Sequence, residues 1–96
     1  MIRLIIRGGD EAATLGFAGD LVQRCRATLS AREDEVRILG PAIAPIAKIR
    51  DKYRIHVLLI GTVGELLRKT VGNVYGKTRP VEGIQWVVDV DPLSML

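Results

Sequence analysis

A short run of alternating basic residues is the part of this sequence best suited to binding a polyanion. Four cations occupy every second position between residues 48 and 54: Lys48, Arg50, Lys52 and Arg54. Alternate residues of an extended strand share a face, and such a face would neutralise successive phosphates. Tyr53 adds one ring on which a base can stack. These five residues are the candidate nucleic-acid- or partner-binding set, although composition alone favours a solvated strand.

The other reactive side chains give little support for catalysis. Asp89 and Asp91 are two residues apart in a strand-like segment, so both carboxylates project to one side. There they would hold a magnesium ion, act as an acid–base pair, or pair with neighbouring arginines. His56, the single histidine, lies among arginines and is more typical of a surface or pairing residue. Gly8-Gly9 lacks the longer glycine fingerprint and the lysine of a phosphate loop. We expect no catalytic, metal or cofactor site in this chain.

Length and composition describe one folded domain of residues 1–96. The chain has a mass of 10.5 kDa, with 48% hydrophobic and 26% charged residues, as in ordinary globular proteins. Its net charge of +3 is too small by itself to indicate nucleic-acid binding. The single cysteine, Cys25, excludes a disulfide framework and a cysteine zinc site. No apolar run reaches the roughly 20 residues of a membrane span, so we expect a cytoplasmic protein without membrane contact.

Hydrophobic periodicity predicts four strands and two helices. Alternation of apolar and polar residues predicts the strands Ile2–Arg7, Val36–Leu39, Tyr53–Ile60 and Ile84–Val90. A helical stripe follows the N-cap Asp10 and ends near Ser30. A second helix is predicted to open on the capping box Thr62–Glu65 and to stop at Gly76. The connection Gly40–Lys52 is long and rich in Pro, Ala and Ile, so we expect it to be an ordered, extended loop.

The order strand–helix–strand–strand–helix–strand predicts an α+β, two-layer sandwich. Right-handed crossovers of this βαββαβ order give a four-stranded antiparallel sheet with two helices on one face. This arrangement is ferredoxin-like or small-ribosomal-protein-like. The second face has no helix to cover it and would present one set of residues: Arg3, Arg7, Arg37, Arg54, His56, Gln85 and Asp89. Such a face is either a partner surface or a solvated surface with cross-strand ion pairs.

Two segments resemble a known family. The run LGPAIAPIAKIRDKYR from Leu39 to Arg54 and the ending WVVDVDP from Trp86 to Pro92 are similar to the C-terminal domain of primosomal protein N′ (PriA), the bacterial replication-restart helicase. The opening Arg3–Arg7, followed by a glycine–aspartate turn, resembles the start of the same domain. The resemblance covers essentially the whole chain. It marks one set of residues as structural motif positions: Gly40, Pro41, Pro45, Asp89, Asp91 and Pro92.

The resemblance implies that this chain is a C-terminal domain of a larger protein. The intact relative is an ATP-dependent 3′–5′ DNA helicase that uses ATP and magnesium and carries zinc, whereas the fragment is expected to be no enzyme and to hold no cofactor. The implied partners are single-stranded or forked DNA, single-stranded-DNA-binding protein, and the helicase lobes of the same parent chain. Relatives often begin the second helix with Pro-Ser-Arg, but this chain has Gly61–Gly64 there. No residue can therefore be assigned to the arginine that grips the partner's tail.

Two other classes of protein fit the same predicted fold. One is a stand-alone ferredoxin-like regulatory domain that dimerises through its sheet and binds a metabolite. The other is a ribosomal or RNA-binding module, for which a net charge of +3 is low. A regulatory domain has no need of the proline-bracketed basic segment Pro41–Lys52, which favours the helicase-domain interpretation.

Overall fold

The structure is a computed structural model that describes residues 1–49 and 52–90, with the side chains of residues 31, 33 and 44–49 outside the description. The elements follow in chain order: β1 (Ile2–Gly8), α1 (Glu11–Leu29), a 3-10 helix (Ser30–Glu35), β2 (Val36–Ile49), β3 (Lys52–Gly61), α2 (Gly64–Lys77) and β4 (Ile84–Val90). The strands form one sheet in the order β2-β3-β1-β4, and each neighbouring pair is antiparallel. The predicted α+β sandwich is confirmed.

The core lies between the two helices and one face of the sheet. Alternate residues of the central strands are fully buried, as their period of two predicted: Ile2, Leu4 and Ile6 in β1, and Ile55, Val57 and Leu59 in β3. They form one cluster with the buried stripes of α1 and α2. Because every residue of this face points into the core, the intervening residues of β1 and β3 point to the uncovered face.

Helix α1 begins and ends where the sequence predicted. The Asp10 carboxylate accepts a hydrogen bond of 2.9 Å from the backbone N–H of Ala13, which satisfies one of the free donors of the first turn. Cys25 is completely buried in the apolar stripe, and burial raises the pKa of its thiol to about 11. In the part of the chain that the structure describes, neither helix is long and apolar enough to cross a membrane.

Strand β2 is much longer than predicted. The four-residue strand expected at Val36–Leu39 continues to Ile49, so the expected extended loop is the second half of an edge strand. Its register against β3 shifts twice, between Leu39 and Ala42 and again between Ile43 and Lys48. Prolines are tolerated at bulges and on edge strands because no ladder donor is then missing. The two prolines that suggested a loop therefore lie in a strand.

The predicted capping box of the second helix is wrong. Helix α2 begins at Gly64, and its N-cap is Val63, which makes no side-chain capping bond. Strand β3 runs through Gly61, which leaves Thr62 outside the helix. Glu65 then lies in the first turn, and its carboxylate pairs with Lys69 at 3.3 Å across one helical turn. The end of α2 at Lys77 agrees with the predicted stop within one residue.

Candidate nucleic-acid interface

The uncovered face of the sheet is basic at one end. Arg7 of β1 lies directly opposite Arg54 of β3 and, on its other side, opposite Gln85 of β4. Lys52 lies two residues before Arg54 on the same side of β3. Arg7 and Lys52 are exposed, and Arg54 is half-buried. Within residues 1–49 and 52–90, neither Arg7 nor Arg54 forms an ion pair, so two like charges face each other across the sheet.

A cross-strand ion pair lies nearer the other end of this face. The Arg3 guanidinium donates a hydrogen bond of 2.7 Å to the carboxylate of Asp89, and both side chains are 36% exposed. Asp89 therefore pairs with an arginine of the neighbouring strand, which was one of the interpretations of the sequence, and the register makes that arginine Arg3. Asp89 therefore partly neutralises the charge of Arg3, whereas no carboxylate of the described residues pairs with Arg7 or Arg54.

His56 lies between these two charged rows. Partial burial, and then the nearby charges of Arg3 and Arg54, hold the pKa of His56 below its ordinary value. Its Nε2 atom and the Nε atom of Arg3 are buried with no hydrogen-bond partner in the described part of the chain. At neutral pH the imidazole is therefore neutral, and it adds a ring rather than a charge to the face.

Apolar side chains fill the middle of the face, which the sequence analysis did not anticipate. Leu39 and Val87 are 40% and 44% exposed, and Ile5, between His56 and Val87 in the register, is half-buried. Leu39 reaches the face because β2 is paired with β3, which places it opposite Leu58. The register puts Leu39 and Leu58 in the row of Arg3, and Ile5 and Val87 in the row of His56, so they form an apolar strip that runs diagonally across the face. Alternation along single strands does not specify this register.

The predicted basic run does not lie along one strand. The chain reverses between Ile49 and Lys52, and the register places position 48 opposite Tyr53. Tyr53 alternates with Lys52 and Arg54 along β3, so it belongs to the helix side, away from both. Arg50 lies outside the described residues. The structure brings Lys52 and Arg54 together with Arg7, a residue that the sequence analysis assigned to the face but not to the site.

Three of the motif residues, Gly40, Pro41 and Pro45, lie in β2, the strand that pairs with β3. Gly40 has a positive φ of 103°, and a Cβ atom at this position would lie 2.7 Å from the backbone oxygen of His56. The Gly40–Pro41 peptide bond is cis. Pro45 lies within the irregular part of β2, and Asp91 and Pro92 lie outside the described residues. The glycine of the motif therefore sets how closely the edge strand approaches His56.

The charged groups of the uncovered face suit the binding of phosphate oxygens. Across residues 1–49 and 52–90, no three side chains of His, Cys, Asp or Glu lie close enough together to hold a metal ion. The described cations of the uncovered face outnumber its one described carboxylate, that of Asp89. They are Arg3, Arg7, Arg37, Lys52 and Arg54. Guanidinium groups and amines in this setting bind phosphate oxygens through charge-assisted hydrogen bonds.

Comparison with known proteins identifies the family. Residues 1–93 match the model of the primosomal protein N C-terminal domain. The chain is also 24% identical over all 96 residues to the replication restart protein PriA of Borreliella burgdorferi, of which it spans 14% of the length. Both findings confirm the resemblance carried by the two sequence motifs. The chain belongs to the family of primosomal protein N C-terminal domains.

Proposed function

We propose that this domain is a DNA- and partner-binding module of a replication-restart helicase. The curated relative is a replication restart protein, and the domain corresponds to a small part of it. The ATP-dependent helicase activity, with its ATP, magnesium and zinc, belongs to other parts of such a protein. The contribution proposed for this domain is to hold single-stranded or forked DNA on the uncovered face of the sheet.

The Arg7–Arg54 pair is the observation that carries this proposal. Like charges directly opposite each other in an antiparallel sheet destabilise the fold by roughly 0.2–1 kcal/mol. In the described part of the chain no carboxylate offsets this repulsion. A phosphate bound between the two guanidinium groups would offset it, and the release of counterions would add to the affinity. The face is therefore more stable with a polyanion bound than without one.

The rest of the face suits a single strand. A strand of nucleic acid presents bases on one side and phosphates on the other. Phosphates would contact Arg7, Arg54 and Lys52, while bases would lie on the apolar strip that contains Leu39 and Val87 and on the imidazole of His56. Base stacking on a ring contributes roughly 1–3 kcal/mol, so one ring supports only a modest affinity. Binding should accordingly be weak and without sequence preference.

The remaining members of the basic run extend this surface. Lys48 and Arg50 precede Lys52 where the chain passes from β2 to β3. We propose that both contribute charge to a DNA strand that leaves the face at this end, and that Tyr53 offers a ring on the helix side.

We further propose that the domain helps to form a site for single-stranded-DNA-binding protein, together with the helicase lobes of its parent chain. The usual arginine is missing from the segment before α2, but Arg68 lies nearby. Its guanidinium nitrogen is 3.5 Å from the position that a Cβ atom on Gly64 would occupy.

The proposal predicts that the end of the β2–β3 pair is required for DNA binding. Replacing Lys48, Arg50 and Lys52 together by Glu should abolish binding of labelled single-stranded DNA in fluorescence anisotropy, because six units of charge change beside the phosphate path. Circular dichroism should show an unchanged fold, since the substitutions leave the buried core intact. Glutamates at Arg68 and Lys69 of α2 serve as the control and should leave the affinity nearly unchanged. Wild-type affinity in the triple variant would contradict a role for this end of the sheet.

A further inference from the structure

Three aromatic rings cluster on the helix side of the sheet, remote from the uncovered face. The ring of Trp86 in β4 lies 6.5 Å from that of Phe17 in α1, edge to face, and 5.1 Å from that of Tyr75 in α2. Tyr75 is 59% exposed, so much of its ring is accessible to solvent. The three rings line a cavity of about 270 Å³ together with Thr78, Val81 and Ile84. A largely apolar cavity bordered by three aromatic rings is therefore open to solvent.

A basic groove adjoins this cavity. The groove has a volume of about 360 Å³, and it shares Phe17, Thr78 and Val81 with the aromatic cavity. Its charged lining consists of Arg24, Lys77 and Arg79, with Asp20 as the one acid. None of these three cations forms an ion pair within residues 1–49 and 52–90. Three cations without an ion pair among the described residues therefore line a groove that adjoins the aromatic cavity.

Part of the groove continues between the helices. A second cavity of about 430 Å³ is also lined by Arg24 and Lys77, and it adds the polar side chains of Thr28 and Asn73. The Thr28 hydroxyl donates a hydrogen bond of 2.9 Å to the backbone oxygen of Arg24, which leaves its oxygen as an acceptor. The lining of the three adjoining cavities thus changes from apolar and aromatic, through cationic, to polar.

We infer that these adjoining cavities form a nucleotide site, separate from the uncovered face. The aromatic cavity takes one base against Tyr75 and Trp86, and the groove takes the attached phosphate through Arg24, Lys77 and Arg79. Aromatic faces bind any base by stacking, and cations bind phosphate oxygens through charge-assisted hydrogen bonds. The aromatic cavity lies just below the roughly 300 Å³ at which pockets for larger ligands begin, so it suits a single base.

The position of the site distinguishes it from the proposed DNA surface. Trp86 lies on the helix side of β4 and Val87 on the uncovered side. Gln85 also belongs to the uncovered side, and it borders the aromatic cavity at the β4 edge. A strand bound across Arg7 and Arg54 cannot also reach the rings without passing round the β4 edge. The inference rests on the proposed DNA-binding function for its choice of ligand, because a nucleotide unit of a second strand would be the natural occupant.

The single tryptophan makes the site directly observable. The chain contains one Trp, so its fluorescence and the indole N–H signal in an NMR spectrum both report on Trp86 alone. Titration of the domain with thymidine 5′-monophosphate should quench the fluorescence and shift the indole signal in a saturable way. Thymidine without its phosphate, and inorganic phosphate alone, should each bind at least about tenfold more weakly, since each lacks one half of the contacts. Short oligothymidylate should compete for the same signal.

Variants separate this site from the uncovered face. Replacing Lys77 and Arg79 by Glu should weaken the nucleotide response by about tenfold or more, and Tyr75→Ala should weaken it without a change of charge. Arg54→Glu, on β3 and two strands away from β4, should leave the mononucleotide response unchanged even where it removes DNA binding, so either surface can fail without the other. Three outcomes would overturn the inference: no change at Trp86, equal binding of nucleoside and nucleotide, or a response to an acidic aromatic peptide but not to the nucleotide.

Discussion

Replacing Arg7 by glutamate should weaken binding of single-stranded DNA and stabilise the free domain at the same time. The substitution converts a like-charge pair into an opposite-charge pair with Arg54 directly across the sheet. It thereby removes both guanidinium groups from phosphate binding, which at 0.1 M salt should lower the affinity by more than about tenfold. The new cross-strand attraction should stabilise the fold by roughly 0.2–1 kcal/mol. If this surface served only stability, the substitution would not lower the DNA affinity while it raises the stability.

The test pairs anisotropy of labelled DNA with thermal unfolding of the same samples. A stability gain of this size raises the melting temperature of a small domain by a few degrees. Arg7→Gln is the matched control: it relieves the repulsion without adding attraction, so both effects should be smaller and keep the same signs. If affinity stays at the wild-type value, or if affinity and stability fall together, the Arg7–Arg54 pair is a packing feature and does not hold DNA.

Replacing Gly40 by alanine should destabilise the domain by at least about 2 kcal/mol. Gly40 has a φ of 103°, which side chains with a Cβ atom rarely adopt. The added carbon would also lie 2.7 Å from the backbone oxygen of His56, in the central part of the sheet. Because backbone cannot move as a flexible side chain does, β2 must separate from β3. The melting temperature should fall by roughly 10 °C.

Gly72→Ala is the matched control for that experiment. Gly72 lies inside α2, and a Cβ atom there would meet nothing within 4 Å. Alanine should therefore stabilise the helix by roughly 0.5–1 kcal/mol, because glycine loses more backbone entropy on folding. The two glycine substitutions should move the melting temperature in opposite directions. A neutral or stabilising Gly40→Ala would contradict the claim that β2 and β3 approach too closely at Gly40 to admit a Cβ atom.

The local pattern of the sequence was enough to predict the layers of the fold. The alternation of Ile2, Leu4 and Ile6, and the helical stripe that contains Cys25, both reflect burial on one side of an element. These signals depend only on neighbours along the chain. The element order and the right-handed crossover rule then leave few topologies, of which the observed sheet order is one.

The errors arose where tertiary pairing outweighs local preference. Pro41 and Pro45 favour a loop in any local treatment, but an edge strand next to β3 accommodates both at its irregularities. Thr62 has the spacing of a cap, yet β3 runs through the preceding residue and the helix begins later. In neither case do neighbouring residues in the sequence reveal the strand pairing that determines the local structure.

The candidate site was only partly predictable for the same reason. Residue types and alternation placed Arg7 and Arg54 on the uncovered face. Their direct opposition, and the pairing of Asp89 with Arg3, follow from the register, which a single sequence does not specify. The aromatic cavity beside Lys77 is likewise assembled from three elements that are distant along the chain.

The salt dependence of DNA binding tests the central claim most directly. Phosphate contacts by Arg7, Arg54, Lys52 and the neighbouring cations should give a linear plot of log affinity against log salt concentration for labelled single-stranded DNA. Three or four contacts, at about −0.7 each, predict a slope of roughly −2 to −3. Replacing Arg7 and Arg54 together by Gln should reduce the magnitude of that slope by about 1.4. A slope near zero, or an unchanged slope in the double variant, would contradict binding of DNA on the uncovered face.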